Sequence, residues 1–394
     1  MKITVPTIDF GTSKIVTMVA QSNGERCDIV GSGAVPYSGY LQDGWNNPDE
    51  IRDVTRTAID QAQKTGNCRI HELNVGVPGM FTRVIVKEVH VSLTGPDPHV
   101  TAQDVRACFK LAEESGGDRI IHSAPAWFRV DDGKKTLSPV GIKGRELSAM
   151  IALVTADKYF IDDITYRLRD MDIEPREFYS TVAGEATYAL SQDERDKTAM
   201  LIDIGYLCTD VMVMEGDALI FHKCLDIGGG HISADIAEQL NIPFPFVEEK
   251  IKQTYSFNST NQDETYVIPA TEDEPARTVR RDEVTPIIEA KVEEIAEAIN
   301  KALEEGGVKL GKWSNVYLTG GGLILNKGGK DFLAGKLHRI IREAQRTNNK
   351  MTSHVFSSAV GLTILVVTTQ EEQKAPEGGA KGLFSRAFRW LMGY

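Results

Sequence analysis

Asp9-Phe10-Gly11-Thr12-Ser13-Lys14 stands between two apolar runs, and the chain repeats the device at Asp203-Ile204-Gly205. Ile8 ahead of the first turn and Leu201-Ile202 ahead of the second read as buried strands. Ile15-Val16-Thr17-Met18-Val19-Ala20 and Val211-Met212-Val213-Met214 read as the strands that return. Each turn taken alone fits an ordinary hairpin. Two of them facing one ligand would put two carboxylates beside it. Glycine lets the backbone approach a phosphate closely, and successive N–H groups then point at its oxygens. Phosphate repels Asp9 and Asp203, so their expected role is to hold Mg2+ through its waters. A third element, Leu318-Thr319-Gly320-Gly321-Gly322, follows the strand-like Val316-Tyr317 and lets a nucleotide lie against the main chain. The expected nucleotide contacts are therefore Asp9, Gly11, Thr12, Ser13, Lys14, Asp203, Gly205, Gly320, Gly321 and Gly322.

At 394 residues and 41% hydrophobic, the chain can bury two cores, and its length suggests two or three domains. A net charge of −12 argues against a nucleic-acid partner, which needs a concentrated basic face. Cys27, Cys68, Cys108, Cys208 and Cys224 are widely spaced and form no CxxC, so they read as reduced, mostly structural thiols of a cytosolic protein. Met1-Lys2-Ile3-Thr4-Val5-Pro6 runs straight into the first strand, so no signal peptide is expected. No stretch approaches the roughly eighteen apolar residues of a membrane span.

Strands and helices alternate along the chain, the pattern of α/β sheets. Residues 49–64 have helical spacing with Ile51, Val54, Ala58, Ile59 and Ala62 on one side, and 158–171 reads as another helix. Asn74-Val75-Gly76-Val77-Pro78, 84–91 and 146–155 read as strands. Between the last two lies a helix over 101–112, where Thr101 can cap and Asp104 completes a box-like start. Small residues in Ser357-Ser358-Ala359-Val360-Gly361-Leu362 would let that helix cross another, over Glu185–Leu190, closely.

Residues 370–381 have no apolar periodicity and read as a flexible linker. Residues 382–394 then turn apolar: Leu383, Phe384, Ala387, Phe388 and Leu391 fall on one helical face, with Trp390 and Met392 widening it and Ser385, Arg386 and Arg389 opposite. The helix is too short to span a bilayer and suited to lie in its interface, with Lys381, Arg386 and Arg389 near anionic lipid. At roughly 1 kcal/mol per basic residue the charges add little to apolar burial, so binding should be reversible. The alternative is a terminal helix packed back on its own core, which seldom needs so long a tether.

The three glycine elements, in this order and spacing, resemble the actin-like ATPase superfamily, which includes actin, DnaK-type chaperones and sugar kinases. Joined to the tail, the resemblance is to the FtsA family of bacterial cell division proteins. It implies an α/β actin-like ATPase fold: two lobes, each with an α/β core, an FtsA-type inserted subdomain (1C) and a C-terminal amphipathic helix. The implied bounds are 1–80, 158–197 and 358–369 for subdomain 1A, 81–157 for 1C, 198–227 and 305–357 for 2A, and 228–304 for 2B. His122-Ser123-Ala124-Pro125-Ala126-Trp127-Phe128-Arg129-Val130-Asp131, followed by Ser138-Pro139-Val140-Gly141-Ile142-Lys143-Gly144, is similar to the family's HxxPxxYxxD and NPxGxxG motifs in 1C, which contacts the next protomer. Gly228-Gly229-Gly230-His231 resembles the loop that opens 2B, with His231 a loop residue before a helix over 234–240.

The same resemblance places Glu249 and Lys252, in Glu248-Glu249-Lys250-Ile251-Lys252, at the ribose and adenine; bottom-up, such pairs usually only stabilise an exposed helix. It places Arg277, Arg280 and Arg281, before a helix over 284–304, where the acidic C-terminal peptide of FtsZ docks. A basic patch on an acidic protein suits that peptide, and a solvated charge run is the alternative. One departure bears on mechanism. The family's second phosphate loop is Asp-x-Gly-Gly-Gly-Thr, whereas Gly205 here is followed by Tyr206-Leu207-Cys208. These bulkier residues narrow the space for phosphates, and no residue reads as a base that orients water, so hydrolysis of ATP is expected to be slow or absent.

The implied function is a division protein that binds ATP with Mg2+, closes its lobes, polymerises as a filament and ties FtsZ to the cytoplasmic face of the membrane at the division site. Its expected partners are FtsZ, other copies of itself, anionic lipid and further division proteins. Two alternatives stand: a PilM-like component of a pilus assembly, which would not be expected to carry this tail, and a sugar-kinase-like phosphotransferase, which should keep the second loop intact.

Overall fold

A computed structural model describes residues 3–373 apart from 25, 43, 115, 116, 118, 262, 271–274, 312, 313 and 345–352. The expected tail helix, 382–394, lies outside the described residues. In chain order the elements are β1 (Ile3–Phe10), β2 (Lys14–Ser22), β3 (Cys27–Pro36), β4 (Tyr40–Leu41), β5 (Gly44–Trp45), α1 (Ile51–Gly66), β6 (Glu72–Val77), β7 (Thr82–Ser92), α2 (Ala102–Glu114), β8 (Ile120–Val130) and β9 (Glu146–Ala156). They continue with α3 (Lys158–Arg169), β10 (Glu174–Ser180), α4 (Thr181–Ala189), α5 (Gln192–Arg195), β11 (Ala199–Ile204), β12 (Thr209–Glu215), β13 (Ala218–Leu225), α6 (Gly229–Leu240), α7 (Phe244–Phe246), β14 (Thr265–Ile268) and β15 (Arg277–Arg280). The last are α8 (Arg281–Glu305), β16 (Asn315–Thr319), α9 (Gly329–Leu337), β17 (Ile341–Glu343) and α10 (Ser357–Gln373). The described residues fall into two compact units, those within 1–201, 212–222 and 345–394, and those within 202–211 and 223–344.

The first unit is built on a mixed sheet of order β10-β6-β1-β2-β3. β1 and β2 run antiparallel from Ile3↔Ser22 to Phe10↔Ile15, so the first glycine turn closes a continuous hairpin. β6 lies parallel to β1 and β10 parallel to β6. Aromatic rings anchor the turn end of β1: Phe10 meets Trp45 at 5.7 Å between centroids, and Phe81 stacks on Phe160 at 4.9 Å. α4 and α10 cross where Gly184 meets Gly361. A Cβ on Gly361 would sit 2.5 Å from the Cα of Glu185, so only glycine permits the approach expected for this crossing.

α10 corrects one expectation. It continues through residues 370–373, which the sequence places in the linker. Thr363 shares a 2.8 Å hydrogen bond with Thr7, Gln370 donates to Asn74 at 3.4 Å, and Ser22 donates to Glu371. These contacts hold a polar last turn that has no apolar periodicity of its own.

Residues 82–156 form an antiparallel sheet of order β7-β9-β8 covered by α2. Val105, Cys108 and Ala112 of the helix pack with Phe128, Leu147, Ala149, Ile151 and Leu153. Thr101 Oγ1 accepts from Asp104 N at 3.3 Å, and Asp104 accepts from Thr101 N at 2.8 Å, the reciprocal box read from the sequence. Asp131, in the left-handed region at φ 48°, accepts from Arg145 N and Glu146 N at 3.0 and 2.9 Å. The aspartate of the His122–Asp131 motif thus locks the start of β9 onto the end of β8. Arg195, 1% exposed, donates to the carbonyls of Gly216, Thr187 and Leu190 and to Gln192 and Asp217.

A second five-stranded sheet has the order β13-β12-β11-β16-β17, with β16 and β17 parallel at Val316↔Ile341. In the second unit α6 packs on α8, and β14 pairs antiparallel with β15. Two boundaries differ from expectation. α8 starts at Arg281, because Glu283 caps the Arg280 N–H at 2.9 Å. α6 starts at Gly229, because His231 Nδ1 accepts the Gly228 N–H at 3.0 Å. No described helix is long and apolar enough to cross a membrane.

Candidate nucleotide site

Each unit carries one glycine turn. In the first, Gly11 N donates to Lys14 O at 3.0 Å and closes the turn. Tyr37 clamps it twice: its hydroxyl donates to Gly11 O at 2.7 Å and its N–H to Ser13 O at 3.2 Å. Tyr40 donates to Phe10 O at 3.0 Å. Asp9 is 6% exposed at the end of β1. Burial pushes its carboxyl from 3.8 up to about 6, against a hydrogen bond from Ser358 and the charge of Lys14. Thr12 is buried, Ser13 and Lys14 are half-buried, and the Lys14 ammonium lies 5.3 Å from the Phe356 ring. The arrangement is a rigid turn with a carboxyl that a dication would ionise.

In the second unit three glycine segments press on one another. Gly205 N donates to Cys208 O at 2.9 Å, Gly229 N to Gly205 O at 2.9 Å, and Gly322 N to Ile204 O at 2.7 Å. Gly320, at φ +89°, is so close to Asp203 that a Cβ would meet Oδ1 at 2.0 Å, and a Cβ on Gly322 would meet Gly205 O at 2.4 Å. The structure therefore brings Asp203, Gly205, Gly320 and Gly322 together. Gly321, between them, is half-buried.

Tyr206 stands where the family motif has a second glycine, and its ring lies over Gly230, whose Cβ would meet it at 3.1 Å. The Lys252 ammonium sits 5.7 Å from the same ring and 3.2 Å from Glu248 Oε1. Burial lowers the pKa of Lys252 against the pull of Glu248. Burial, then Glu248, raises that of the Tyr206 phenol. Ser233 donates to the other oxygen of Glu248, and Asn326 donates to Lys252 O at 2.6 Å.

The two residues expected at ribose and adenine differ in their surroundings. Lys252 is 5% exposed and partnered by Glu248, while Glu249 points to solvent. The segment Val247–Lys252 winds as a π-helix, whose wider turn shifts the inward face by a residue. The three arginines expected to receive the acidic peptide differ in exposure. Arg281 is 5% exposed, pairs with Glu264 at 3.1 Å, donates to Ser256 O at 2.6 Å and stacks on Tyr255 at 4.2 Å. Arg277 is half-buried and donates to the C-terminal carbonyls of α6, at Leu240 and Asn241. Arg280 is exposed, beside Asp282 at 2.9 Å.

Tyr37, Ser358 and Glu248 contact Gly11, Asp9 and Lys252, a role the sequence does not mark, since each reaches its place from a distant or irregular segment. Cys208, Asp210 and Cys224 also converge: their Sγ and carboxylate atoms all lie within 4.8 Å of one another. A hydrogen bond with Cys208, then burial and Asp210, holds the Cys224 thiol well above its ordinary range. The membrane residues Leu383, Phe384, Arg386, Phe388, Arg389, Trp390 and Leu391 lie outside the described residues.

A model of the cell division protein FtsA matches residues 200–361, and a model of the SHS2 domain inserted in FtsA matches 79–155. FtsA of Pseudomonas aeruginosa is 24% identical over 412 aligned positions, covering 98% of this chain and 97% of that one. FtsA of Bacillus subtilis is 25% identical over 306 positions, covering 76% and 70%. Among solved structures, the PilM-PilN type IV pilus biogenesis complex aligns at TM-score 0.60 and 17% identity over 93% of this chain and 99% of that one. MreB 5 of Spiroplasma citri bound to AMPPNP aligns at 0.57 and 11% identity over 94% and 98%. These likenesses establish an actin-like ATPase fold carrying the insert.

Proposed function

The chain belongs to the FtsA family of cell division proteins, and from that premise we propose that it is an ATP-binding scaffold that ties FtsZ filaments to the membrane. Asp9, Gly11, Thr12, Ser13 and Lys14 hold ATP together with Asp203, Gly205 and Gly320–Gly322, and Asp9 and Asp203 hold Mg2+ through water. Copies of the chain assemble into a filament, with residues 81–157 contacting the next protomer. Residues 382–394 lie in an anionic leaflet at the division site, and many weak tails on one filament add through effective concentration. Residues 228–304 receive the acidic FtsZ peptide. Arg280 is the exposed guanidinium there; its surface pairs with Asp282 and Glu283 are weak enough to exchange.

The observation that carries the nucleotide reading is the clamped turn at Asp9–Lys14, with its buried, half-protonatable carboxyl, on a family-matched chain. Hydrolysis is slow because Tyr206 fills the space over Gly230 that a second loop glycine would leave open. The likeness to PilM is one of fold, and the family models favour the division reading. Titrating the full chain with a fluorescent ATP analogue while following phosphate release tests this. Binding should require Mg2+, weaken at least about tenfold in Asp9→Asn, and accompany turnover well below the roughly 1 s⁻¹ of slow ordinary enzymes. No binding, or turnover at or above that rate, contradicts it.

A further inference from the structure

Asp210 is the second residue of β12 and Cys208 immediately precedes that strand, a two-residue spacing that puts both on one side, and Cys224 comes from β13. The spacing that makes them remote in sequence is closed by the sheet. Two sulfurs and a carboxylate oxygen converge within 4.8 Å. We propose that Cys208, Asp210 and Cys224 form a binding site for a thiophilic divalent cation of the zinc class.

The donor set selects the ion. Thiolates are soft ligands that suit zinc and disfavour Mg2+ or Ca2+, and a carboxylate oxygen is itself a zinc ligand. With Zn–S near 2.3 Å, tetrahedral geometry needs sulfurs roughly 3.8 Å apart, so the two sulfurs close in by about 1 Å at most. Both thiols bind as thiolates, their protons pass to solvent, and the fourth position stays open to water. A carboxylate at the same point favours a cation over a simple thiol pair.

The site bears on the second glycine turn. Cys208 O accepts the Gly205 N–H at 2.9 Å, and Gly205 O accepts from Gly229. An ion on Cys208 therefore stiffens the turn beside Asp203 without touching nucleotide. This role is distinct from the water-mediated Mg2+ at Asp9 and Asp203.

Anaerobic titration of the chelator-treated full chain with Co2+, then back-titration with Zn2+ against a chromophoric chelator, tests the proposal. One equivalent of Co2+ should give a thiolate charge-transfer band that Zn2+ abolishes. Cys208→Ser and Cys224→Ser should lose the band and bind Zn2+ at least about tenfold more weakly, while Cys68→Ser behaves as the parent. Asp210→Asn keeps both thiols and should also weaken Zn2+ binding, which guards against misfolding of the cysteine variants. No thiolate band in the parent, or a band unchanged in both cysteine variants, overturns the site. So does a Cys208–Cys224 disulfide formed with diamide in a protein that binds neither cation.

Discussion

At Asp9 burial bears directly on the proposed role. Its pKa rises from 3.8 to about 6 on folding, so the carboxyl favours folding while protonated, and that contribution is lost as pH rises through about 6. A cation reverses the preference, because it binds the ionised form. Mg-ATP affinity should therefore climb as pH rises from about 4 to about 6 and level off above. Asp9→Asn should flatten the step; calorimetric titration across this range is the check. The arginines separate just as sharply. Arg281→Ala removes a buried cation from Glu264, Ser256 O and the Tyr255 ring and should cost about 2–3 kcal/mol in a denaturant melt. Arg280→Ala should change stability by no more than about 0.5 kcal/mol and weaken the FtsZ peptide. At this scale the sequence marks Asp9, Gly11, Asp203 and Gly320 because a glycine turn is a local signal. It does not mark Glu248 over Glu249, since a π-turn shifts the facing residue, nor the burial of Arg281, nor the convergence of Cys208 with Cys224 across a hairpin.

Among elements, the crossing of α4 and α10 carries the clearest constraint. Gly361→Ala would drive a methyl to 2.5 Å from backbone at Glu185, where no side chain can swing aside. We expect it to destabilise by about 1–3 kcal/mol and to lower the melting temperature by several degrees. The crossing is legible in the small residues of 357–362, and α2 in its capping box at Thr101 and Asp104. The end of α10 is not. Residues 370–373 look like linker because what holds them, Asn74 and Ser22, lies on β6 and β2, hundreds of residues away.

For the whole molecule, two glycine turns, an inserted sheet and a second glycine-rich sheet edge are enough to expect the actin-like fold that the comparisons establish. The placement of the tail is the property that neither alternation nor packing decides. The whole chain carries a net charge of −12 and would be repelled by an anionic leaflet, so the proposed attachment would fall to the basic, aromatic tip. The direct measurement is vesicle co-sedimentation of the full chain beside a truncation ending at residue 380, on anionic and neutral lipid, with and without Mg-ATP and an FtsZ C-terminal peptide. The full chain should pellet with anionic vesicles and carry the peptide down, and the truncation should stay in the supernatant. Full chain and truncation remaining soluble together, or pelleting equally, would contradict it.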